Sequence, residues 1–206
     1  MPSSRKEAVE LKEACVQAAH EVIAERGVEQ LSLRDVARRL GVSHQAPYKH
    51  YPSRDHLLAE VIRRCFEDFA RDLDARPHQP DPRQDLESLG KRYLAYAQAH
   101  PLEYRLMFGT PWPEPAAHPD LVRDAVHAFD VLRSVLQRLH GEGSAQDSRA
   151  DLDAMYIWSN MHGLASILQS NVMEHLHLRP KDARDVGRHV MDMMSRALDA
   201  GPTTRA

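Results

Sequence analysis

The chain has no large excess of either charge: 27 basic residues stand against 30 acidic ones, for a formal net charge of -3. That excludes a polycation coating nucleic acid by bulk attraction, so any polyanionic partner must be held by a local patch. Cysteine is scarce. Cys15 and Cys65 each lie inside an apolar helical pattern, which suits buried thiols in a reducing compartment rather than a disulfide staple. No apolar run approaches the roughly eighteen residues of a membrane span, and the opening Met1 to Glu7 leads into no apolar segment of a secretory signal. The expected location is the cytoplasm. Period-two alternation and β-branched runs are sparse, so a sheet has little to be built from. There is no internal repeat and no low-complexity tract, only a short tail from Gly201.

Catalytic apparatus is missing as well. The chain has no nucleophile elbow, no phosphate-binding glycine loop and no placeable pair of carboxylates, and Ser159 or Ser166 near His162 is proximity alone. An enzyme is not expected, nor is a cofactor. Thirteen histidines, among them His118, His127, His162, His175, His177 and His189, invite a metal. The tempting pair His175 and His177 is two residues apart, off a single helical face, with no cysteine or carboxylate at ligand spacing. No metal site is expected.

What is present is helix. From Ser4 to Arg26, apolar Leu11, Cys15, Ala18, Ala19, Val22 and Ile23 recur at three- and four-residue steps, and Gly27 follows as a cap. Ser32 opens a short helix through Leu40, with Asp35 in the place of a capping-box acid, and Gly41 ends it. Ser43 is placed to cap a third helix through His50, closed by Tyr51-Pro52. Pro47 is its fourth residue, where a missing N–H removes one early bond to the Ser43 carbonyl and alters the first turn. Ser53 caps a fourth helix to about Ala75, and Pro77 to Pro82 makes a stiff connection. Helices follow at about 83–99, 101–108, 120–140, 149–177 and 181–200. A proline-rich loop around Trp112 covers 109–119, and a polar loop covers 141–148.

The second and third of these helices, joined at Gly41, make a helix-turn-helix, which lays its second helix in a groove of about its own width. Ser43, His44, Gln45 and Ala46 then point to base edges. Gln45 can pair bidentately with adenine, and Ala46 can touch a thymine methyl. Tyr48, Lys49 and His50 point to the backbone, and Ser32 or the helix N-terminus behind it can hold a phosphate. Local charge agrees: between Leu31 and Arg54, Arg34, Arg38, Arg39, Lys49 and Arg54 oppose the single acid Asp35. A small helical bundle that binds nothing shares this composition, so the turn alone does not decide.

The combination is more specific. Leu31-Ser32-Leu33-Arg34-Asp35-Val36-Ala37, Leu40-Gly41-Val42-Ser43, Ala46-Pro47-Tyr48-Lys49-His50-Tyr51-Pro52-Ser53-Arg54 and Leu57-Leu58 closely resemble the N-terminal domain of TetR-type transcriptional regulators, over about Glu7 to Ile62. The resemblance implies phosphate contacts at Tyr48 and His50, a backbone or base-edge contact at Lys49, and a duplex anchor at Arg54. Tyr51 stands where the family usually has phenylalanine and reads as a core aromatic against Leu57 and Leu58. Ala46-Pro47-Tyr48 is similar to a subset of the same family.

Farther on, Tyr96 to Phe108 followed by Trp158, His162 and Gly163 looks like the ligand-binding domain of the TetR-type subset named for a Trp-His-Gly signature. This implies an all-helical effector-binding and dimerising domain with an unidentified small-molecule effector. The residues themselves agree: apolar positions surround the 149–177 helix on nearly every side, as when a helix lies between its own core and a partner subunit. Met155, Ser159, Gly163 and Ser166 on that helix, with Val190, Met193, Met194 and Ala197 on the last, are the expected dimer interface. Phe66, Phe69, Tyr93, Tyr96, Tyr104, Met107, Phe108, Trp112, Phe129, His127 and His162 are the candidate effector lining, although side chains of this density also make plain core.

The expected architecture is all-α with about nine helices: a helix-turn-helix domain over 1–52, then an effector-binding and dimerisation domain over 53–206. The expected partners are a palindromic double-stranded operator, a second copy and the effector, with no membrane. The rival class is a helical dimer that binds proteins and no DNA, for which a basic, polar recognition segment would be superfluous.

Overall fold

The computed structural model describes residues 3–141, 143–170 and 172–200, and among these every regular element is helical. The expected tail from Gly201 lies outside the described residues. In chain order the α-helices are α1 (Ser3–Arg26), α2 (Leu33–Leu40), α3 (Arg54–Asp74), α4 (Pro82–Ala99), α5 (Pro101–Phe108), α6 (Pro119–His140), α7 (Ser144–Gln169), α8 (Val172–His175) and α9 (Pro180–Ala200). Tight 3-10 turns occur at Val28–Gln30, Pro47–Lys49 and Pro115–Ala117.

The chain divides into two compact units. One holds the described residues up to Asp68 together with Leu102–Val126; the other holds Phe69–Pro101 and the described residues from His127 onward. Leu102–Val126 thus groups with the N-terminal helices.

In the first unit, Cys15, Ala18, Ala19, Val22 and Ile23 of α1 are buried, as are Leu33, Val36 and Ala37 of α2 and Leu57, Leu58, Val61 and Ile62 of α3. The three- and four-residue spacing that marked these positions in the sequence is what places them on one face. α5 and the start of α6 add Tyr104, Leu106, Met107 and Leu121 to this core. Arg63 secures the arrangement: it donates to Glu60 at 2.8 Å, to Glu67 at 3.1 Å and to Asp124 of α6 at 2.7 Å.

In the second unit α4, α7 and α9 pack on one another, burying Leu89, Tyr93, Ala97, Ala154, Ile157, Met161, Met194 and Leu198. Asp81 caps α4 by accepting from the Arg83 N–H at 3.0 Å, with Pro82 at the first helical position. Asp85 is fully buried and accepts from Arg76 Nε at 3.0 Å and Arg138 Nη1 at 2.8 Å. The proline-rich connection is tied to the same group, since Arg138 Nη2 donates to the Gln79 carbonyl at 2.8 Å.

Three expected elements change. The segment Ser43–His50 is a turn running into the 3-10 turn Pro47–Lys49 rather than a regular helix. Pro47 has no N–H for the Ser43 carbonyl, which accepts instead from Ala46 N–H at 3.0 Å, and three-residue bonding continues through Lys49 to Ala46 and His50 to Pro47. The proline thus reshapes the whole element, not only its first turn. Second, the polar 141–148 loop is shorter, because α7 already starts at Ser144, where Asp147 in the first turn complements the helix N-terminus. Third, the 149–177 helix stops at Gln169. Ser170 adopts an extended conformation, its hydroxyl and its N–H both bond the Ile167 carbonyl, and its Oγ then accepts from Val172 N–H at the start of α8.

Candidate nucleic-acid interface

The candidate reading surface is held by caps and a buried rear. Ser32 Oγ accepts from Asp35 N–H at 3.1 Å and donates to the Asp35 carboxylate at 2.5 Å, fixing the start of α2. Gly41 ends the helix in a left-handed conformation, φ +66°, its N–H reaching the Ala37 and Arg38 carbonyls. A side chain there would be strained, so the turn that aims the next segment depends on glycine. In that segment Pro47 and Tyr51 are buried, and the Tyr51 hydroxyl donates to the Lys12 carbonyl of α1 at 3.3 Å. Pro47 and Tyr51 are thus the two inward-facing side chains of the segment. Ser43, His44, Gln45, Tyr48 and Lys49 are exposed, while Ala46 and His50 are half-buried.

The local charges do not all stay available. Arg38 pairs with Asp35, and Arg39 pairs with Glu25 and with Glu21 at 3.0 Å. The Ser32 hydroxyl, then the charges of Arg38, Arg26 and Arg34, hold the Asp35 carboxyl below the usual carboxylate range. Arg54 directs Nη2 to the Val28 carbonyl at 2.8 Å and Nε to the Leu31 carbonyl at 3.1 Å, clamping α3 to the turn before α2. Exposed Arg34 and Lys49 have no carboxylate partner within 4 Å among the described residues.

The candidate effector residues fall into separate groups. In the first unit Phe66 meets Phe108 and Trp112 edge-on, with ring centroids 5.5 and 5.3 Å away, beside Tyr104, with Met107 buried. Trp112 Nε1 donates to the Met107 carbonyl at 2.9 Å, which pins the proline-rich loop. In the second unit Phe69 packs on Tyr93 and Tyr96. A further group is Phe129, Trp158 and His162, all half-buried, with centroids 5.9 and 6.3 Å apart in succession. Burial holds the His162 imidazole below the ordinary histidine range, so it is neutral near pH 7. His127 stands exposed, its Nε2 3.6 Å from Asp74.

Of the candidate dimer residues, Met155, Ser159 and Ser166 of α7 and Met193 and Ala197 of α9 are exposed, and Gly163 and Val190 are half-exposed. Met194 is buried in the chain's own core. Sequence reasoning did not assign Leu152, Tyr156 and Ile167 to the interface, yet they are 69%, 42% and 44% exposed on α7. Their signal was the all-round apolar pattern of that helix, read at the resolution of a helix and not of a face. A Cβ at Gly163 would meet nothing within 4 Å, whereas one at Gly90 would press on Met191 Sδ at 3.3 Å.

Two family models cover the chain in sequence. One, described as bacterial regulatory proteins, tetR family, matches residues 16–61; the other, described as tetracyclin repressor-like, C-terminal domain, matches residues 86–194. The chain belongs to the tetR family of bacterial regulatory proteins. The tetR-family chain is 31% identical over 120 residues to the HTH-type transcriptional regulator Rv1816 of Mycobacterium tuberculosis, covering 56% of this chain and 51% of that one. It is 37% identical over 62 residues to the HTH-type transcriptional repressor Rv3405c of the same species, covering 30% and 31%. The matched parts thus span about half of the first relative and about a third of the second. The solved structure of SCO4313 superposes with a TM-score of 0.76 at 24% identity, over 96% of this chain and all of that one. The fatty acid degradation regulator FadR of Bacillus halodurans does so with a TM-score of 0.63 at 14% identity, over 89% and 93%. These likenesses show the shared fold. Among the described residues no helix is long and apolar enough to cross a membrane, and among the same residues no group of three or more His, Cys, Asp or Glu side chains could hold a metal.

Proposed function

We propose that this tetR-family protein is a cytoplasmic, DNA-binding transcriptional repressor, acting as a two-fold dimer on a palindromic operator and released by a small molecule. The observation that carries the reading is the exposure of Ser43, His44, Gln45, Tyr48 and Lys49, backed by buried Pro47 and Tyr51, together with exposed Arg34 on α2. Such a surface offers amide and hydroxyl groups to base edges and cations to phosphates, the division of labour that sequence reading of a duplex needs. Ser32 and His50 stand at its margin as phosphate contacts, and Arg54 serves it by holding α3 in place. Dimerisation is assigned to the exposed apolar surface of α7 and α9, where Met155, Gly163 and Met193 lie; a second copy would remove that surface from water.

The effector is assigned to the half-buried group Phe129, Trp158 and His162, where one neutral imidazole amid aromatic rings suits a modest apolar ligand with one polar end. The test of the DNA-binding reading is selection of bound duplexes from a random pool. A recovered inverted repeat with half-sites roughly 34–36 Å apart is the expected result. Recovery of no sequence, together with salt-insensitive or absent binding to every duplex, would refute it.

A further inference from the structure

His20 of α1 and Glu103 of α5 are 83 residues apart in sequence, and His20 Nε2 lies 2.9 Å from Glu103 Oε1. Their side chains are 30% and 25% exposed, so protons reach the pair while water does not dissolve it. α1 carries buried Val22 and Ile23 into the DNA-reading bundle and holds Arg39 of α2 through Glu21 and Glu25. α5 carries Tyr104 and Met107 into the aromatic core of the same unit.

We propose that the His20–Glu103 pair is a proton-controlled latch between α1 and α5, and that operator affinity falls when His20 loses its proton. The inference rests on the DNA-binding reading given above. Protonated, His20 joins Glu103 in an ion-paired hydrogen bond; neutral, it loses the ion pair and keeps at most the hydrogen bond to the carboxylate. Releasing α1 on that flank leaves the reading face less ordered before it meets DNA, and the ordering must then be supplied on binding.

The groups around the pair favour the charge. Glu21 lies beside His20 on its own helix. On α3, the Cys65 thiol is pushed up to about 12 by burial, then by Glu103 and Asp68, and so stays neutral. The hydrogen bond that His20 donates to Glu103 raises it above the ordinary histidine range; burial opposes this, and the charges of Glu103 and Glu21 reinforce it. A raised histidine contributes its stabilisation fully below its unfolded value, about 6.5, and loses it as pH climbs through the higher folded value.

The experiment measures operator affinity at constant ionic strength from about pH 6 to about pH 8 for the wild type, His20→Gln, Glu103→Gln and the double variant. The operator is the duplex recovered from the random pool. Every other histidine is common to all four proteins, so its effect cancels in the comparison. Wild-type affinity is expected to fall several-fold more steeply across this range than that of His20→Gln, which keeps a neutral hydrogen bond. The double variant should match His20→Gln. In parallel, NMR titration of the His20 imidazole should show a raised value that returns to the ordinary range in Glu103→Gln. Equal pH slopes for wild type and His20→Gln, or an unshifted His20, overturn the latch while leaving DNA binding intact. Absence of binding to any duplex overturns the functional reading and the latch's role together.

Discussion

Arg54 Nη2 donates to the carbonyl of Val28 at 2.8 Å, across 26 residues of sequence. With the Nε bond to Leu31, this makes Arg54 a brace between α3 and the turn preceding α2, and not merely a cation facing outward. Arg54→Ala is expected to lower the stability of the protein by about 1–2 kcal/mol, because two carbonyls lose a charged donor. Arg54→Lys should recover only part of it, since one ammonium cannot span both acceptors in the guanidinium's fork. Urea unfolding of the three proteins checks this; an unchanged midpoint for Arg54→Ala, alongside weakened DNA binding, would place the residue at phosphate instead.

Gln45 and Lys49 are both exposed but should differ in effect. Gln45→Ala should cost about 1–3 kcal/mol at one or two operator positions. Lys49→Ala should weaken binding uniformly and reduce the salt slope by about one. Salt titrations on matched and mismatched duplexes separate the two, and an unaltered base preference in Gln45→Ala would remove it from base reading.

Gly163→Leu distinguishes a face that meets a partner from one that meets water. Nothing lies within 4 Å of a Cβ at this position, so the isolated fold should tolerate the change and gain roughly 0.5–1 kcal/mol of helix propensity. In a dimer that packs closely here, leucine should split the assembly. Sedimentation at micromolar concentration should show a folded monomer; a dimer as stable as wild type would move the interface away from Gly163.

The buried Asp85 should dominate the acid limit of the second unit. Burial opposes its ionisation, but the hydrogen bond and charge of Arg76 and the bond from Arg138 outweigh it, holding the carboxyl below the usual range. A depressed carboxylate stabilises the fold above its unfolded value, about 3.9, and that contribution disappears as pH falls through the lower folded value. Asp85→Ala leaves Arg76 buried and unpaired and should cost about 3–5 kcal/mol near neutral pH. Thermal unfolding of wild type and Asp85→Asn should run parallel above about pH 4 and converge as pH falls below it, and curves that stay parallel through the further fall would contradict the assignment.

Much of this protein was written in local sequence. The spacing of Val22, Ile23, Val36 and Leu57, the Ser32 cap and the Gly41 stop depend on neighbours a few residues away, so helices and the turn between them could be read without a structure. The exposure of Ser43, His44, Gln45, Tyr48 and Lys49 was legible for the same reason: they are polar side chains in a short segment whose apolar Tyr51 reads as core against Leu57 and Leu58. The conformation of that segment was less so, because a missing N–H at Pro47 propagates through successive carbonyls and not through side-chain type.

Tertiary structure decided everything that depends on distant partners. Five basic residues between Leu31 and Arg54 look alike in sequence, but Arg38 is paired with Asp35, Arg39 is taken by Glu21 and Glu25 of another helix and Arg54 by backbone carbonyls, which leaves Arg34 and Lys49 without a carboxylate within 4 Å among the described residues. Met193 and Met194 are adjacent and chemically identical, yet one faces out and the other packs inward, a choice set by the 100° step of the helix and by which neighbours α9 meets. The His20–Glu103 contact has no local trace at all. Helix formation is specified within a few residues, whereas pairing of charges and sorting of apolar faces exist only once segments 83 residues apart have been brought together.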